Sequence, residues 1–260
     1  MKVCDVVNII DSAAPYSIAC DWDNSGFLVG YGEDEVKRTL VALDLTDSVL
    51  SEAEKEGCNL IVTHHPFIFK GLSRITDESF EGRMVLKLIE KGISLVCAHT
   101  NLDMANGGIN DVLCESLGLF NITHLGFAAN DDSGDVIGEF RMGETDCNLE
   151  DFLKMVKSTL GCAAVRYSNS DNVRLKKVAV CSGSGCDFLG DAVKAGADAY
   201  VTSDAKYHNF QTAENSGIVL IDAGHFETEN IICDKLEKLL GDNGLDVIRS
   251  VSHKGFYKTV

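Results

Sequence analysis

The sequence predicts an α/β protein made of two similar α/β/α units from an internal duplication, and three observations support this class. Short apolar runs rich in β-branched residues alternate with segments whose apolar residues recur at helical spacing. The order of these elements in residues 39–103 is repeated in residues 176–229. Polar residues follow the predicted strands directly, as they do in parallel sheets whose functional loops lie at the carboxyl ends of the strands.

The first half of the chain begins with a predicted helix over residues 3–14 and continues with alternating strands and helices. Gly57 and Gly92 each follow a helical pattern, and glycine commonly ends a helix. This order of elements is typical of parallel α/β units. The strands are predicted over residues 39–45, 59–63 and 93–98, and the helices over residues 46–57, 80–91 and 107–117.

The second half of the chain repeats this order of predicted strands and helices. Where the first copy has His64 and His65 after its second strand, the second copy has Ser203 and Asp204. A helix is predicted between the first two strands of the second copy, and Gly196 follows it. The three strands of this copy are predicted over residues 176–181, 197–202 and 218–223.

The boundary between the two repeats is placed where the character of the chain changes. Residues 127–147 are richer in polar residues and glycine, and their apolar pattern is weak. We therefore predict a first repeat over residues 1–126 and a second over residues 127–260, whose tail can pack back on the first.

The composition is that of a folded, acidic protein. The chain has 40 acidic and 23 basic residues, a formal net charge of -17 and no basic stripe, so we expect it to bind no nucleic acid. We see no membrane-spanning apolar run and no signal peptide, so we expect a cytoplasmic protein that binds no membrane. The ten cysteines form no C-x-x-C pair and are expected to be reduced, buried thiols.

The most informative stretch contains two adjacent histidines. His64 and His65 follow the β-branched run at residues 59–63, and Pro66 comes next. Proline has no amide hydrogen for a sheet ladder, so the strand must end there. Two imidazoles at one strand end suit zinc, iron(II), cobalt or nickel. The alternative is that one ring packs in the core while the other caps a neighbouring element.

Further candidate ligands follow other strand ends. Asp103 lies beyond the strand predicted at residues 93–98, and His225 follows the corresponding strand of the second copy. Glu229 lies four residues after His225, so a helix that starts near Gly224 would put both side chains on one face.

These candidates form a set of three imidazoles and two carboxylates, which exceeds the four ligands of a structural zinc site. Such a set suits two divalent metal ions, whether zinc, iron or manganese, with Glu229 as the bridging carboxylate. A shared water between two ions has a lowered pKa, so the implied chemistry is hydrolysis by a metal-bound hydroxide. The predicted metal ligands are His64, His65, Asp103, His225 and Glu229.

Two more histidines are candidate catalytic residues. His99 is either a metal ligand or a residue that supports a ligand by a hydrogen bond, and we favour the supporting role. His208 either lines the cavity as a proton donor or substrate contact, or caps a helix. His124 is expected to be a surface or packing residue, and His253, near the carboxyl terminus, is expected to have no chemical role.

A glycine-rich turn at residues 181–186 has two interpretations. It follows a predicted strand and precedes a helix, so its amides could receive an anion. It lacks the spacing of a dinucleotide-binding motif and a Walker lysine, and a simple tight turn is the favoured interpretation.

Six segments together resemble one protein family. They are similar to motifs of the Nif-three-like family (NGG-one-interacting factor three), whose members carry the name GTP cyclohydrolase 1 type 2. The resemblance implies two similar, intertwined α/β domains with a dinuclear metal centre between them, and a ring-shaped homohexamer built from dimers. The segments are residues 22–30, 63–70, 98–103, 107–111, 202–208 and 222–229.

Carried over to this sequence, the resemblance also implies how the ligands divide between the metals. His64 and His225 would bind one ion, His65 and Asp103 would bind the other, and Glu229 would bridge the two.

Two functional hypotheses follow. The first is a dinuclear metal-dependent hydrolase that acts on a small molecule, with His99 or His208 as a proton relay. The second is a non-catalytic metal-binding assembly or regulatory scaffold protein that stores, delivers or senses metal.

Overall fold

A computed structural model of the 260-residue chain describes residues 1–126, 129–130, 136–168 and 173–258. The described part contains α-helices and β-strands in alternation, and the α/β class predicted from the sequence is confirmed. The helices are α1 (Val3–Ala13), α2 (Asp47–Lys55), α3 (Phe80–Lys91), α4 (Thr100–Met104), α5 (Ile109–Ser116), α6 (Leu149–Leu160), α7 (Leu189–Lys194), α8 (Tyr207–Ser216), α9 (His225–Glu229) and α10 (Ile232–Asp242). The strands are β1 (Gly26–Val29), β2 (Thr39–Ala42), β3 (Leu60–Thr63), β4 (Ser94–Cys97), β5 (Phe120–Leu125), β6 (Ala129–Asn130), β7 (Val136–Ile137), β8 (Phe140–Asn148), β9 (Arg166–Tyr167), β10 (Arg174–Val180), β11 (Ala199–Thr202), β12 (Val219–Asp222) and β13 (Val247–Arg249).

The chain divides into two compact units. Unit 1 comprises Met1–Leu102 and Ile232–Gly255, and unit 2 comprises Asp103–Ile231 with the terminal segment that starts at Phe256. This division differs from the predicted repeats, because residues 103–126 belong to unit 2 and most of the tail belongs to unit 1. The reason is strand pairing: β5 pairs antiparallel with β8, whereas β13 pairs in parallel with β2. The duplication itself stays a prediction.

The sheet of unit 1 brings two strand ends together. Its order is β1-β4-β3-β2-β13, with β1 antiparallel at one edge and the other four strands parallel. In the register of β3 and β4, Thr63 lies opposite Cys97. The segments that leave these two strands therefore start side by side at one edge of the sheet.

The core of unit 1 is formed by both faces of this sheet. All four residues of β2, of β3 and of β4 are buried, which is why these strands read as continuous apolar runs. Val49 of α2 and Leu88 of α3 pack in the same cluster as Ile61 of β3 and Leu95 of β4. Thr46 caps α2, because its Oγ1 accepts a hydrogen bond from the amide of Val49 at 3.1 Å.

The sheet of unit 2 has the order β5-β8-β10-β11-β12-β9, in which β10, β11 and β12 are parallel. Alternate residues of these strands enter two different core clusters. Val201 and Ile221 pack with Phe152 of α6, whereas their neighbours Tyr200 and Leu220 pack in the cluster of Phe140. This alternation follows from the two-residue period of a strand, and it means that helices and loops cover both faces.

The predicted helix boundaries can be compared with the structure where it describes the chain. The helix predicted over residues 80–91 is confirmed, and its end at Gly92 is explained by the left-handed backbone of that residue, with φ of 62°. Part of the predicted junction, residues 127–128 and 131–135, lies outside the described residues. Among the helices that the structure describes, none is both long enough and apolar enough to cross a membrane.

Unit 2 contains a fully buried arginine, Arg141 of β8. Its Nε donates to Oδ1 of Asp111 at 2.8 Å, and its Nη2 lies 3.1 Å from Oδ2 of the same carboxylate. The remaining donors reach the carbonyl oxygens of Gly138 at 2.6 Å and Ala105 at 2.8 Å. Arg141 therefore ties β8 to α5 and to the segment after α4 through charge-assisted hydrogen bonds.

We predict that Arg141→Met lowers the free energy of unfolding by about 3–5 kcal/mol, because the buried Asp111 carboxylate loses its countercharge. Arg174→Met is the matched control, because Arg174 forms an exposed ion pair with Asp146 at 2.7 Å. This control should lower the free energy of unfolding far less, because an exposed ion pair contributes little to stability. Urea unfolding followed by circular dichroism measures both changes, and equal losses in the two variants would contradict the prediction.

Candidate metal centre

Three imidazoles converge in unit 1. His64 and His65 follow β3, and His99 follows β4 at the same edge of the sheet. One ring nitrogen from each lies within 4.8 Å of the others. The ring centroid of His64 is 5.2 Å from that of His65 and 5.2 Å from that of His99. The structure therefore makes His99 a candidate ligand beside the two predicted ones, whereas we favoured a supporting role from the sequence.

Hydrogen bonds at Nδ1 orient the first two rings. Nδ1 of His64 lies 2.8 Å from the carbonyl oxygen of Ala98, and Nδ1 of His65 lies 2.7 Å from Oδ1 of Asp44. Because both partners accept hydrogen bonds, a neutral ring carries its proton on Nδ1 and keeps the lone pair of Nε2 for a metal.

Asp23 orients the ring of His99 by a hydrogen bond at Nδ1 in the same way. Its Oδ1 lies 2.8 Å from Nδ1 of His99, and its Oδ2 accepts hydrogen bonds from the hydroxyls of Ser25 at 2.6 Å and Thr100 at 2.6 Å. Burial opposes ionisation of Asp23, but these hydrogen bonds outweigh it and hold the pKa of the carboxyl well below its usual range. The turn that carries Asp23 thus supplies a fixed negative charge behind His99.

Each oxygen of the Asp44 carboxylate faces a histidine ring. Its Oδ2 lies 2.7 Å from Nε2 of His253, while its Oδ1 faces His65. Burial again opposes ionisation, yet the hydrogen bonds from His253 and His65 keep the pKa of Asp44 well below its usual range. His253 is therefore part of the hydrogen-bond network behind a candidate ligand, contrary to the expectation from the sequence.

Unit 2 brings His225 and Glu229 together. Helix α9 starts at His225. Nε2 of His225 lies 2.9 Å from Oε2 of Glu229, and the Glu229 residue is 4% exposed. Nδ1 of His225 lies 2.8 Å from Oδ2 of Asp204, so this ring is oriented like those of unit 1. The predicted sharing of one helix face by residues four apart is confirmed.

Asp103 is the first residue of unit 2 and lies in α4, half-buried. Burial raises the pKa of the Cys181 thiol, and the negative charges of Asp103 and Glu229 raise it further. Two predicted carboxylate ligands therefore concentrate negative charge around one buried side chain.

The remaining predicted residues lie elsewhere. His208 is exposed in the first turn of α8 and belongs to neither cluster of ligand atoms found among the described residues. Nε2 of His124 lies 3.4 Å from Oδ1 of Asp111, next to Arg141, which fits the expected packing role.

The glycine-rich turn uses its amides within the chain. The amide of Ser182 donates to Oδ1 of Asn110 at 2.8 Å, and that of Gly183 donates to Oγ1 of Thr228 at 3.0 Å. This use supports the tight-turn interpretation over an anion site. Gly183 has φ of 58°, and a Cβ on it would collide with Oε1 of Glu229. The missing side chain therefore leaves room for the Glu229 carboxylate.

Trp22 lies beside the imidazoles of unit 1. It is 60% exposed, and its ring centroid lies 5.8 Å from that of Phe69 and 6.1 Å from that of His99. Because it is the single tryptophan of the chain, its fluorescence reports on this one place.

We predict that Co²⁺ quenches Trp22 fluorescence in a saturable titration, because cobalt suits imidazole ligands and would be bound close to the indole. Zn²⁺, which has a filled d shell, should displace Co²⁺ and restore the signal. His64→Gln should weaken the quenching, since it removes an imidazole from the cluster. Unchanged quenching in that variant would contradict the site.

We also predict that Gly183→Ala lowers the number of metal ions bound per chain, because its Cβ displaces the Glu229 carboxylate. Gly190→Ala in α7 is the matched control, since a Cβ there meets no neighbouring atom. Elemental analysis of the three proteins after metal loading measures the difference. Equal metal content in both variants would show that Glu229 needs no such space.

Comparison with known proteins agrees with these motifs. A profile of the family described as Duf34/NIF3 (NGG1p interacting factor 3) matches residues 1–254. A Clostridium perfringens protein named GTP cyclohydrolase 1 type 2 homolog is 39% identical over 229 residues, which is 88% of this chain and 87% of the relative. A protein of the same name from Clostridium acetobutylicum is 37% identical over 252 residues, or 95% of this chain and 93% of the relative.

The fold is also found among solved structures. The crystal structure of Staphylococcus aureus protein SA1388 matches with a TM-score of 0.92 and 27% sequence identity. The match covers 100% of this chain and 99% of that one. The resemblance inferred from the sequence motifs is thereby confirmed, and the chain belongs to the Duf34/NIF3 family.

Proposed function

We propose that this protein is a metal-dependent hydrolase of small molecules that binds two divalent metal ions. The observation that carries the proposal is the uniform orientation of four imidazoles. Each has its Nδ1 facing an acceptor oxygen, so Nε2 is the basic nitrogen, which would bind a metal in three of the rings and accept a proton in His99. The four residues are His64, His65, His99 and His225.

The donor set fits a divalent cation. Imidazole nitrogens and carboxylate oxygens suit zinc, iron(II) and manganese. In unit 2, Glu229 is buried, and the negative charges of Asp103 and Glu229 both raise the pKa of the Cys181 thiol. Burying carboxylates is unfavourable unless a positive charge compensates them, and a bound metal ion would provide that charge.

The division of ligands follows the family resemblance. His64 and His225 would hold one ion, His65 and Asp103 would hold the other, and Glu229 would contribute its carboxylate to both. The internal duplication, the dinuclear centre, the cytoplasmic location and the ring of six chains built from dimers belong to the same proposal.

A bound pair of metal ions would lower the pKa of water and polarise a substrate oxygen. His99 would accept a proton at Nε2, and the ionised Asp23 at its Nδ1 would stabilise the resulting imidazolium. Trp22 and Phe69 form an exposed aromatic pair beside His99 that can contact an apolar part of the substrate. His208, exposed on α8, remains available for a substrate contact.

The name carried by the clostridial relatives makes GTP the first substrate to test. A screen with the metal-loaded protein should then extend to other nucleotides, phosphoesters and cyclic amides. Turnover that needs metal and disappears in Glu229→Ala would support a hydrolase. Tightly held metal without turnover on the whole panel would support the alternative of metal storage, delivery or sensing.

We predict that elemental analysis of anaerobically purified protein finds about two metal ions per chain, falling to one or none in Glu229→Ala. Glu227→Ala is the matched control, because Glu227 lies on the same short helix and its Oε2 accepts a hydrogen bond from the hydroxyl of Tyr257 at 3.5 Å. It should keep the wild-type metal content.

A wild-type value near zero that added zinc, iron or manganese does not restore would refute the metal centre. A full metal content in Glu229→Ala would refute the bridging role alone.

A further inference from the structure

The carboxyl-terminal tail of unit 1 is anchored to α2. The Glu52 carboxylate accepts hydrogen bonds from the hydroxyl of Ser250 at 2.5 Å, the amide of Val251 at 3.0 Å and the amide of Ser252 at 3.2 Å. Three donors from consecutive residues on one carboxylate fix the backbone of the tail at this point.

The residue after this anchored segment is His253, which lies in unit 1. Its side chain is only 5% exposed, and its Nε2 lies 2.7 Å from Oδ2 of Asp44. Oδ1 of Asp44 lies 2.7 Å from Nδ1 of His65. Two imidazoles that are far apart in the sequence therefore face the two oxygens of one carboxylate.

This arrangement constrains the orientation of the Asp44 carboxylate. The terminal torsion of an aspartate has a broad energy profile, so hydrogen bonds rather than the side chain itself set the plane of the carboxylate. With His253 in place, Oδ2 is engaged and Oδ1 is directed at His65. Without it, the carboxylate can rotate, and the proton of His65 is no longer held at Nδ1.

We propose that His253 is a positioning residue that acts through Asp44 to hold His65 with its proton on Nδ1 and its Nε2 available for metal. Its relevance to metal binding rests on the proposed function, whereas its effect on the His65 ring does not. The tail thus contributes to a site whose candidate ligands in unit 1 all come from the first 99 residues.

The test compares His253→Gln with His253→Met, which have similar volume. The glutamine amide nitrogen can take the place of Nε2 as a donor to Asp44, and the methionine thioether cannot donate. Lys254→Ala is the control for a change in the tail, because Lys254 is the exposed neighbour of His253.

Two readouts are needed. The first is zinc affinity, measured in competition with a chromophoric chelator. The second is the ¹⁵N chemical shifts of His65 in metal-free, histidine-labelled protein, recorded by solid-state NMR and assigned with His65→Gln. These shifts report which ring nitrogen carries the proton, a property that a role in tail stability alone would not change.

We expect His253→Met to weaken zinc binding roughly 10-fold, as the loss of supporting partners does in other metal sites, and to move the His65 proton partly to Nε2. His253→Gln and Lys254→Ala should behave like the wild type in both readouts. The proposal is overturned if His253→Met keeps the wild-type shifts and affinity, or if His253→Gln is no better than His253→Met. A wild type that binds no zinc would refute the proposed metal centre, while the shifts would still decide the role of His253.

Discussion

The hydrogen bond between an imidazole Nδ1 and an acceptor oxygen is the interaction on which the candidate site depends. A histidine can bind a metal only through a nitrogen that carries no proton, so the proton must be held at the other nitrogen. In unit 1 the acceptors are a backbone carbonyl and the carboxylates of Asp23 and Asp44, and in unit 2 the acceptor is Asp204. Each of these acceptors has to be placed by the fold.

The parallel sheet of unit 1 provides that placement. The segments after β3 and β4 start at one edge, so His64, His65 and His99 converge without long loops. Asp44 follows β2, the neighbour of β3, and the turn before β1 brings Asp23 to His99. The buried strands thus fix the backbone, and the carboxylates fix the rings.

Several features of this arrangement were predictable from the sequence because they depend on local spacing. The proline after His65 marked a strand end, and the interval between His225 and Glu229 predicted a shared helix face. Helix α3 was predicted over its full length because its apolar period is clear and Gly92 ends it. The family was recognisable because its motifs cover almost the whole chain.

Other features depend on contacts that have no local signal. His253 and Asp44 are 209 residues apart, so nothing in the pattern around His253 indicated their hydrogen bond. Strand β13 has only three half-buried residues and pairs with β2 from the far end of the chain, and β5 has no fully buried residue, so neither shows a clear apolar period. The repeat boundary at residue 126 stays a prediction, and it differs from the division between the compact units, which falls after Leu102.

The most direct test of the account is anomalous diffraction at the zinc absorption edge from crystals of the zinc-loaded protein. The account predicts two peaks roughly 3.5–4 Å apart, with Nε2 of His64 on one, Nε2 of His65 on the other and the Glu229 carboxylate between them. Peaks away from these histidines, or a metal bound through Nδ1 of either ring, would contradict it.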